Sequence, residues 1–475
     1  RLDRLEWPAA QALLADLAES NELLRRAPEA DWQTLHRETG GNPLLMRWIV
    51  GQMQLGRKRK IVESVAFLHA APPGNDPLEY VFGDLLETFT ESETKVLAAL
   101  THFTIPVETK FIAELAGINP AAAEGDLAMR ALVQPDLEDR RFTLVALVAD
   151  FLRRRRPEAI AETGDRLANR AYALIVENGY QKHDRFSVLD AAWPTVAPAL
   201  PHLIAGPNDR LRTVCDALDR FLEFTGRWDE WLSLCEQAEA KAVTSGDLHR
   251  AGWRAYQASW VAYLRGEADA VLAGANRADS HWTAAKAGAR ERAAAIRLRG
   301  VGHELKKNYP AALSAYRESL ELWRSLSAQR KDVASGLSDI AEVERQMGDF
   351  DAAECNYIEA LRIARAVSDP EGVAIYTGNL ANLKLDQEKW PEAETLARKA
   401  LTLSEGVGRI ELVASNCHRI AEALLQQNKS LEEALRFAQR AVELFTQLGS
   451  KNLDYARATL RECEAAITPS APPES

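Results

Sequence analysis

GDFDAAECNYIEALRIA (348–364) and EKWPEAETLARKALTLS (388–404) align residue for residue at an offset of 40 positions, and this pair decides the fold. KSLEEALRFAQRAVELF (429–445) and KNYPAALSAYRESLELW (307–323) extend the alignment in both directions. GRWDEWLSLCEQAEAKA (226–242) and RGEADAVLAGANRADSH (265–281) join it more loosely. One equivalent position falls at Trp231, Val271, Ala312, Ala353, Ala393 and Ala434, in steps of 40 or 41 residues. Seven residues later stand Ala238, Ala278, Ser319, Ala360, Ala400 and Ala441, and twelve residues before it Ser259, Gly300, Ala341 and Ala381. A period of this length marks a repeat architecture, in which each unit buries its apolar face only against its neighbours.

The small residues have a packing reason. Two antiparallel helices approach closely only where side chains are tiny, and the next hairpin must stack on that seam. Leu361, Ile363, Leu401, Leu403, Leu444 and Phe445 recur at helical spacing between the small positions and fill the shared core. The pattern predicts paired helices over about residues 210–468, with KNLDYARATLRECEAAI (451–467) as a capping helix and residues 469–475 as a disordered tail. It resembles the tetratricopeptide repeat in a long variety. The resemblance implies a mainly α fold, an α-solenoid superhelix of six repeats plus a cap. The first helix of each hairpin would then line a concave binding surface.

Composition narrows the function. The chain has 58 basic and 69 acidic residues, a net charge of −11, which argues against a dedicated nucleic-acid binder. Cys215, Cys235, Cys355, Cys417 and Cys463 are widely separated, without metal-ligand spacing, and read as thiols in a reducing cytoplasm. No apolar run reaches the roughly 18 residues that suggest a membrane span, and neither a signal peptide, a metal site nor a catalytic constellation can be read out. Because Arg1 opens inside structured sequence, we expect a fragment of a longer protein.

The N-terminal third has a different rhythm. Residues 1–70 are helical around a turn at ETGGNPLLMRWIVGQ (38–52), where Gly40 and Gly41 permit unusual backbone and Pro43 suits a first helical turn. After the linker HAAPPGNDP (69–77), helices are predicted at 78–89, 91–101, 107–116 and 121–132. Two short apolar runs around Glu138-Asp139-Arg140 then read as a β-hairpin. This makes a winged-helix arrangement over residues 76–156, closed by the helix VADFLRRRR and followed by a connecting helical region at 157–209.

This order of pieces is similar to the signal-transduction ATPases with numerous domains (STAND), the group that includes NB-ARC and NACHT proteins. GGNPL (40–44) resembles their Gly-x-Pro motif, which places Gly41, Asn42 and Pro43 on the adenine side of a bound nucleotide. RFSVLDAAWPTVAPALPHLI (185–204) resembles the stretch that opens their repeat arrays. Two departures matter. No GxxxxGK[ST] phosphate loop occurs, so the chain itself is not expected to be an enzyme or to hold a cofactor. Val145 stands where the family often has a histidine that senses the ADP phosphate. The resemblance implies that ADP or ATP with Mg binds the parent protein through an upstream module, beyond which lies an effector domain.

Tyr256, Trp260 and Tyr263, with Trp253, share one helical face and are expected on the concave side, where aromatic rings stack on ligands. The competing reading is packing against the neighbouring hairpin. Arg297, Glu304, Glu342, Arg345, Asn382 and Arg419 are the expected polar lining, suited to a polar or peptide partner. Arg140, Arg141 and Arg153–Arg156 could contact phosphates, but arginines at a helix C-terminus are favourable without a ligand, so DNA binding is not expected. The sequence thus reads as the sensor portion of a cytoplasmic, bacterial-type nucleotide switch. Its repeats would bind a protein, peptide or small-molecule trigger that releases autoinhibition and permits oligomerisation. A nucleotide-free interaction scaffold and the inducer-binding part of a transcription activator are the alternatives.

Overall fold

The computed structural model describes residues 4–54, 60–69, 82–83, 86–87, 89–119, 132–136, 141–327 and 330–467. The chain forms two compact units, Arg1–Ala173 with Ala192–His202, and Leu174–Ala191 with Leu203–Ser475.

The first unit opens with helices α1 (Trp7–Ser20), α2 (Glu22–Arg25), α3 (Glu29–Glu38), α4 (Pro43–Gln54) and α5 (Ile61–His69). Next come α6 (Glu91–Leu100), β1 (Val107–Glu108), α7 (Thr109–Ala116), β2 (Val133–Asp136), β3 (Arg141–Leu144) and α8 (Ala146–Arg155). Thr90 and Glu93 form a reciprocal capping box that starts α6. The expected β-hairpin is present as antiparallel β2 and β3, with Val133 opposite Leu144 and Asp136 opposite Arg141. The sequence missed β1. Val107 and Glu108, expected at the start of a helix, pair instead with Phe142 and Arg141, because Pro106 and β-branched Val107 favour extended backbone there. The strand order is β1-β3-β2, so Pro135 lies on an edge strand, where its missing N–H is tolerated. The turn at 138–140 and the helix expected at 121–132, apart from Leu132, lie outside the described residues, as does most of the helix expected at 78–89 and all of the tail. Trp48, Phe82 and Phe151 meet in one aromatic core, with ring centroids 5.0 to 6.3 Å apart. Arg153 is engaged within the unit, bonding Asp150 at 2.8 Å and the Thr101 carbonyl at 3.1 Å.

A long helix α9 (Pro157–Asn178), then α10 (Phe186–Val196) and α11 (Leu200–Ala205), make up the connecting region. Six hairpins follow among the described residues. They are α12 (Asn208–Phe224) with α13 (Trp228–Thr244), α14 (Leu248–Arg265) with α15 (Ala268–Ala284), and α16 (Ala289–Leu305) with α17 (Tyr309–Leu326). Then come α18 (Lys331–Gln346) with α19 (Phe350–Ala366), α20 (Pro370–Asp386) with α21 (Trp390–Val407), and α22 (Ile410–Gln426) with α23 (Leu431–Leu448). The expected cap is α24 (Leu453–Ile467). No described helix is long and apolar enough to cross a membrane.

The small positions lie where the alignment requires them. Ala312, Ala353, Ala393 and Ala434 are buried, and so are Ala238, Ala278, Ser319, Ala360, Ala400 and Ala441. Buried Ser319 keeps its hydroxyl satisfied by donating to the Ala293 carbonyl at 2.8 Å. At Gly300 a Cβ would come within 2.6 Å of the Tyr316 ring, so the hairpin closes only with glycine there. The turn inside each hairpin carries a left-handed residue, a glycine at Gly226, Gly266 and Gly348 but Lys307, Glu388 and Asn428 in the others. The non-glycine cases cost roughly 1–2 kcal/mol each, which cooperative stacking offsets.

Stacked this way, the array curls until its ends meet. Arg409, at the start of α22, is buried and pairs with Glu371 at 2.6 Å, Glu223 at 3.4 Å and Glu411 at 3.5 Å. Its guanidinium lies 5.8 Å from the Phe224 ring centroid. Glu223 belongs to the first hairpin, whereas Glu371 and Glu411 open the first helices of the fifth and sixth. Arg220 reinforces the junction, 3.6 Å from Glu371 and 2.7 Å from Glu223. Lys451, in the turn before the cap, donates its backbone N–H to the Leu264 carbonyl at 3.2 Å, and Leu448 packs over Gly226.

Arg409→Ala leaves three carboxylates without their shared cation. We expect urea denaturation to read a loss of about 3–5 kcal/mol, the range for breaking a buried ion pair. A loss below about 1 kcal/mol, typical of a surface pair, would contradict closure of the array at this seam.

Candidate functional site on the inner face of the array

Consecutive first helices are joined by polar contacts at the repeat's own period. Arg297 on α16 reaches back 41 residues to the Tyr256 hydroxyl at 3.3 Å and forward 42 residues to Asp339, in a bidentate pair at 2.5 and 3.0 Å. Ser335 meets Tyr376 at 3.4 Å, and Asn379 donates to Ser338 at 3.2 Å, each pair 41 residues apart. Arg345 pairs with Asp386, again 41 residues on. Curvature brings one face of every first helix together, so side chains a repeat apart become neighbours.

At one end of this face is an aromatic wall. Tyr256 and Trp260 are nearly parallel, with centroids 6.4 Å apart, and Tyr263 lies 4.9 Å from Trp260. The Arg297 guanidinium sits 5.0 Å from the Trp260 ring centroid, a cation–π contact. Trp253 departs from the expected group. Its ring packs 5.1 Å from Trp282, and Arg290 covers it, so here inter-helix packing accounts for the side chain. Tyr256, Trp260 and Tyr263 are also partly packed against the core, yet remain half-buried on the inner side.

Beyond the wall lie two carboxylates, each fixed by a tyrosine from the second helix of its own hairpin. Tyr316 donates to Glu304 at 2.7 Å, and Tyr357 to Glu342 at 2.8 Å. Burial, and then the like charge of Glu342, pushes Glu304 up to about 7. Burial alone would raise Glu342 too. Arg345 beside it, with hydrogen bonds from Gln346 and Tyr357, holds it below the usual carboxylate range instead. Lys451 enters from the far end of the array, its ammonium 3.5 Å from the Tyr263 ring centroid. Burial pulls Lys451 below the ordinary lysine range, against the opposing pull of Glu304, Glu411 and Glu342.

The structure therefore brings together Tyr256, Trp260, Tyr263 and Arg297, and beside them Glu304, Glu342 and Arg345. Arg419 lies near the second group, bonded to Asn416 at 2.9 Å. Asn382 is not joined to them; it is half-buried on α20 and bonds none of these residues. Sequence reasoning missed Asp339, Asp386, Tyr316, Tyr357 and Lys451. The two aspartates were open to discovery, because each stands one repeat beyond an arginine. Lys451 carried no such signal.

A second concavity of about 210 Å³ lies among α12, α13 and α14, lined in part by Arg212, Cys215, Lys241, Arg250 and Arg254. Its cations are already engaged. Arg254 pairs with Asp216, Arg250 with Asp247 at 3.2 Å, and Lys241 with the Ile204 carbonyl at 2.6 Å.

The GGNPL turn is ordered by its own backbone. Gly40 and Gly41 adopt left-handed conformations, and Leu5 donates to the Gly41 carbonyl at 2.8 Å. A Cβ at Gly41 would lie 2.6 Å from the Leu5 oxygen. The Asn42 side chain caps α4 by accepting from Leu44 and Leu45 at 3.0 and 3.1 Å, and Pro43 opens the helix. Pro43 is half-buried, while the turn's polar atoms are largely spent within the fold. Val145 stands at the N-cap of α8 and donates its N–H to the Leu132 carbonyl at 3.2 Å.

Residues 291–366 and 332–406 match the family model for the tetratricopeptide repeat. No curated protein matches the chain in sequence. Among solved structures, a STAND protein with a tetratricopeptide repeat sensor from Pyrococcus horikoshii is similar at 15% identity and a TM-score of 0.37, over 98% of this chain and 72% of that one. A Rap protein complexed with competence and sporulation factor gives 13% identity and a TM-score of 0.42, over 64% of this chain and 98% of that one. Yeast Tom70 gives 14% and 0.38, over 96% and 88%.

The site's electrostatics carry a signed consequence. Glu304 holds its proton up to about pH 7 in the folded chain, against an ordinary value of 4.5. Its contribution to stability is therefore full below pH 4.5 and is lost as pH rises through 7. Glu304→Gln, which keeps shape without charge, should gain on the unsubstituted chain progressively from pH 4.5 to 7.5 in urea denaturation. A pH-independent difference between the two would contradict the assignment.

Proposed function

We propose that the chain is the ligand-sensing portion of a signalling protein, in which the repeat array encloses a peptide or protein segment against its inner face. One observation carries this reading: a half-buried aromatic wall of Tyr256, Trp260 and Tyr263 adjoins a polar lining whose groups are held in place by bonds within and between repeats. Pre-organised polar groups beside aromatic surface suit a ligand with both backbone amides and side chains. Because the array's ends are joined by ion pairs, a ligand that binds inside changes the strain at the seam. Occupancy is thus linked to the geometry of the whole array.

In the fuller form of this proposal the parent protein is a STAND-type nucleotide switch. The reading draws on the order of pieces along the chain: GGNPL turn, a small helical unit with a three-stranded sheet, a helical connector, then repeats. Gly41, Asn42 and Pro43 would face the adenine, with Pro43 offering its ring. The phosphates and Mg would be held by an upstream module, since the turn has few free polar groups to offer them. The trigger bound by the repeats would release the resting state and allow assembly.

The test uses the parent protein extended upstream by about 300 residues, roughly two domain lengths. It is purified and denatured, and released nucleotide is identified by chromatography. We expect close to one ADP or ATP per chain. Protein that carries none and takes up none when offered would overturn the switch reading and leave the array as a nucleotide-free scaffold.

A further inference from the structure

The cations of the inner face and of the closing seam divide by how their charges are met. Arg297, Arg345 and Arg409 each have a carboxylate within bonding distance. Lys451 has none among the described residues. Its ammonium rests on the face of Tyr263 at 3.5 Å, and its backbone N–H is tied to the Leu264 carbonyl at 3.2 Å. Close approach is built in: at Gly266 a Cβ would lie 3.0 Å from the Lys451 Cβ. Glu304 and Glu342 both act electrostatically on Lys451, and among the described residues Glu304 is bonded by the Tyr316 hydroxyl at 2.7 Å. The ring face and the under-used carboxylate together form a site for a positive charge, and Lys451 meets only the ring.

We propose that Lys451 is an internal stand-in for a ligand guanidinium, and that an arginine side chain of the bound peptide displaces it from Tyr263, pairs with Glu304, and so loosens the contact between the second hairpin and the cap. This inference rests on reading the inner face as the binding surface and specifies the chemistry it recognises. Guanidinium is favoured over ammonium on geometric grounds. Its planar group can lie on Tyr263 or Trp260 while its edge donates to a carboxylate, which a compact ammonium on a tethered loop does not do. The array already contains such an arrangement one repeat away, where Arg297 lies over Trp260 and pairs in bidentate fashion with Asp339. Displacement also has a mechanical consequence. Lys451 sits between α23 and α24, so withdrawing its ammonium from α14 frees one of the contacts that close the array, while Arg409 and Leu448 still hold others.

The test uses the full chain and two capped tripeptides, acetyl-Gly-Arg-Gly-amide and its citrulline counterpart, which has the same shape but no charge. Binding is read by calorimetry and by tryptophan fluorescence. Lys451→Met empties the site while keeping the stem, and should tighten the arginine peptide about tenfold over the parent chain. Glu304→Gln should weaken it at least tenfold in the Lys451→Met background, and the citrulline peptide should bind no variant measurably. Hydrogen exchange of the Lys451 amide should speed up when the arginine peptide saturates the parent chain. Circular dichroism checks that each variant is folded, and Lys451→Arg serves as a second variant, expected to weaken the peptide by occupying the site more tightly. Equal binding of the arginine and citrulline peptides, indifference to Glu304→Gln, or unchanged affinity in both Lys451 variants would overturn the proposal. Peptide binding that ignores charge and both Lys451 variants would overturn this inference alone and leave the inner face as the binding surface, whereas binding of neither peptide to any variant would count against both, so the two failures are separable.

Discussion

The distance at which neighbouring helices pack governs everything else in the second unit. Alanine, glycine or serine at the seam positions lets the two helices of a hairpin, and then successive hairpins, approach closely enough that a side chain of one packs directly on the backbone of the other. Each stacking step adds a small rotation, and a nearly constant step of 40 or 41 residues makes the rotations accumulate in one sense. After six hairpins the accumulated curvature presents Glu223 to Arg409 and Leu264 to Lys451. A larger residue at the seam would matter less through its own strain than through the direction it gives to every later hairpin.

Closure explains the unusual chemistry of the inner face. Charges on the concave side of an open array would be hydrated and ordinary. Here they face one another across a narrow space, so burial raises Glu304 and lowers Lys451, and tyrosines serve as fixed donors. Paired groups such as Arg297 with Asp339 act as struts between repeats. Groups with incomplete partners, Glu304 and Lys451, are where a ligand gains most, because the cost of taking them from water has already been met in folding.

Much of this was legible in the chain. Helical hairpins follow from the registered small residues, since the same steric demand recurs in each copy. The aromatic wall follows from the spacing of Tyr256, Trp260 and Tyr263 along one helix. Trp253 shows the limit of that argument, because its ring is claimed by Trp282 on the next helix, a choice that helical spacing does not encode. β1 was missed because two residues are too few to show alternation, and they become a strand only by pairing with β3. Lys451 was invisible for a different reason. Its contact with Tyr263 spans 188 residues and exists only once the curvature of the intervening hairpins has been summed.

The central claim, an array whose ends meet, is tested most directly by a distance measured across the seam. Spin labels at Glu267 and Asp454, exposed residues close to the Gly266–Lys451 contact, report that distance by pulsed electron resonance. The account predicts a single narrow distribution at short range in the ligand-free chain. A broad distribution centred at long range, as free solenoid ends would give, would contradict it.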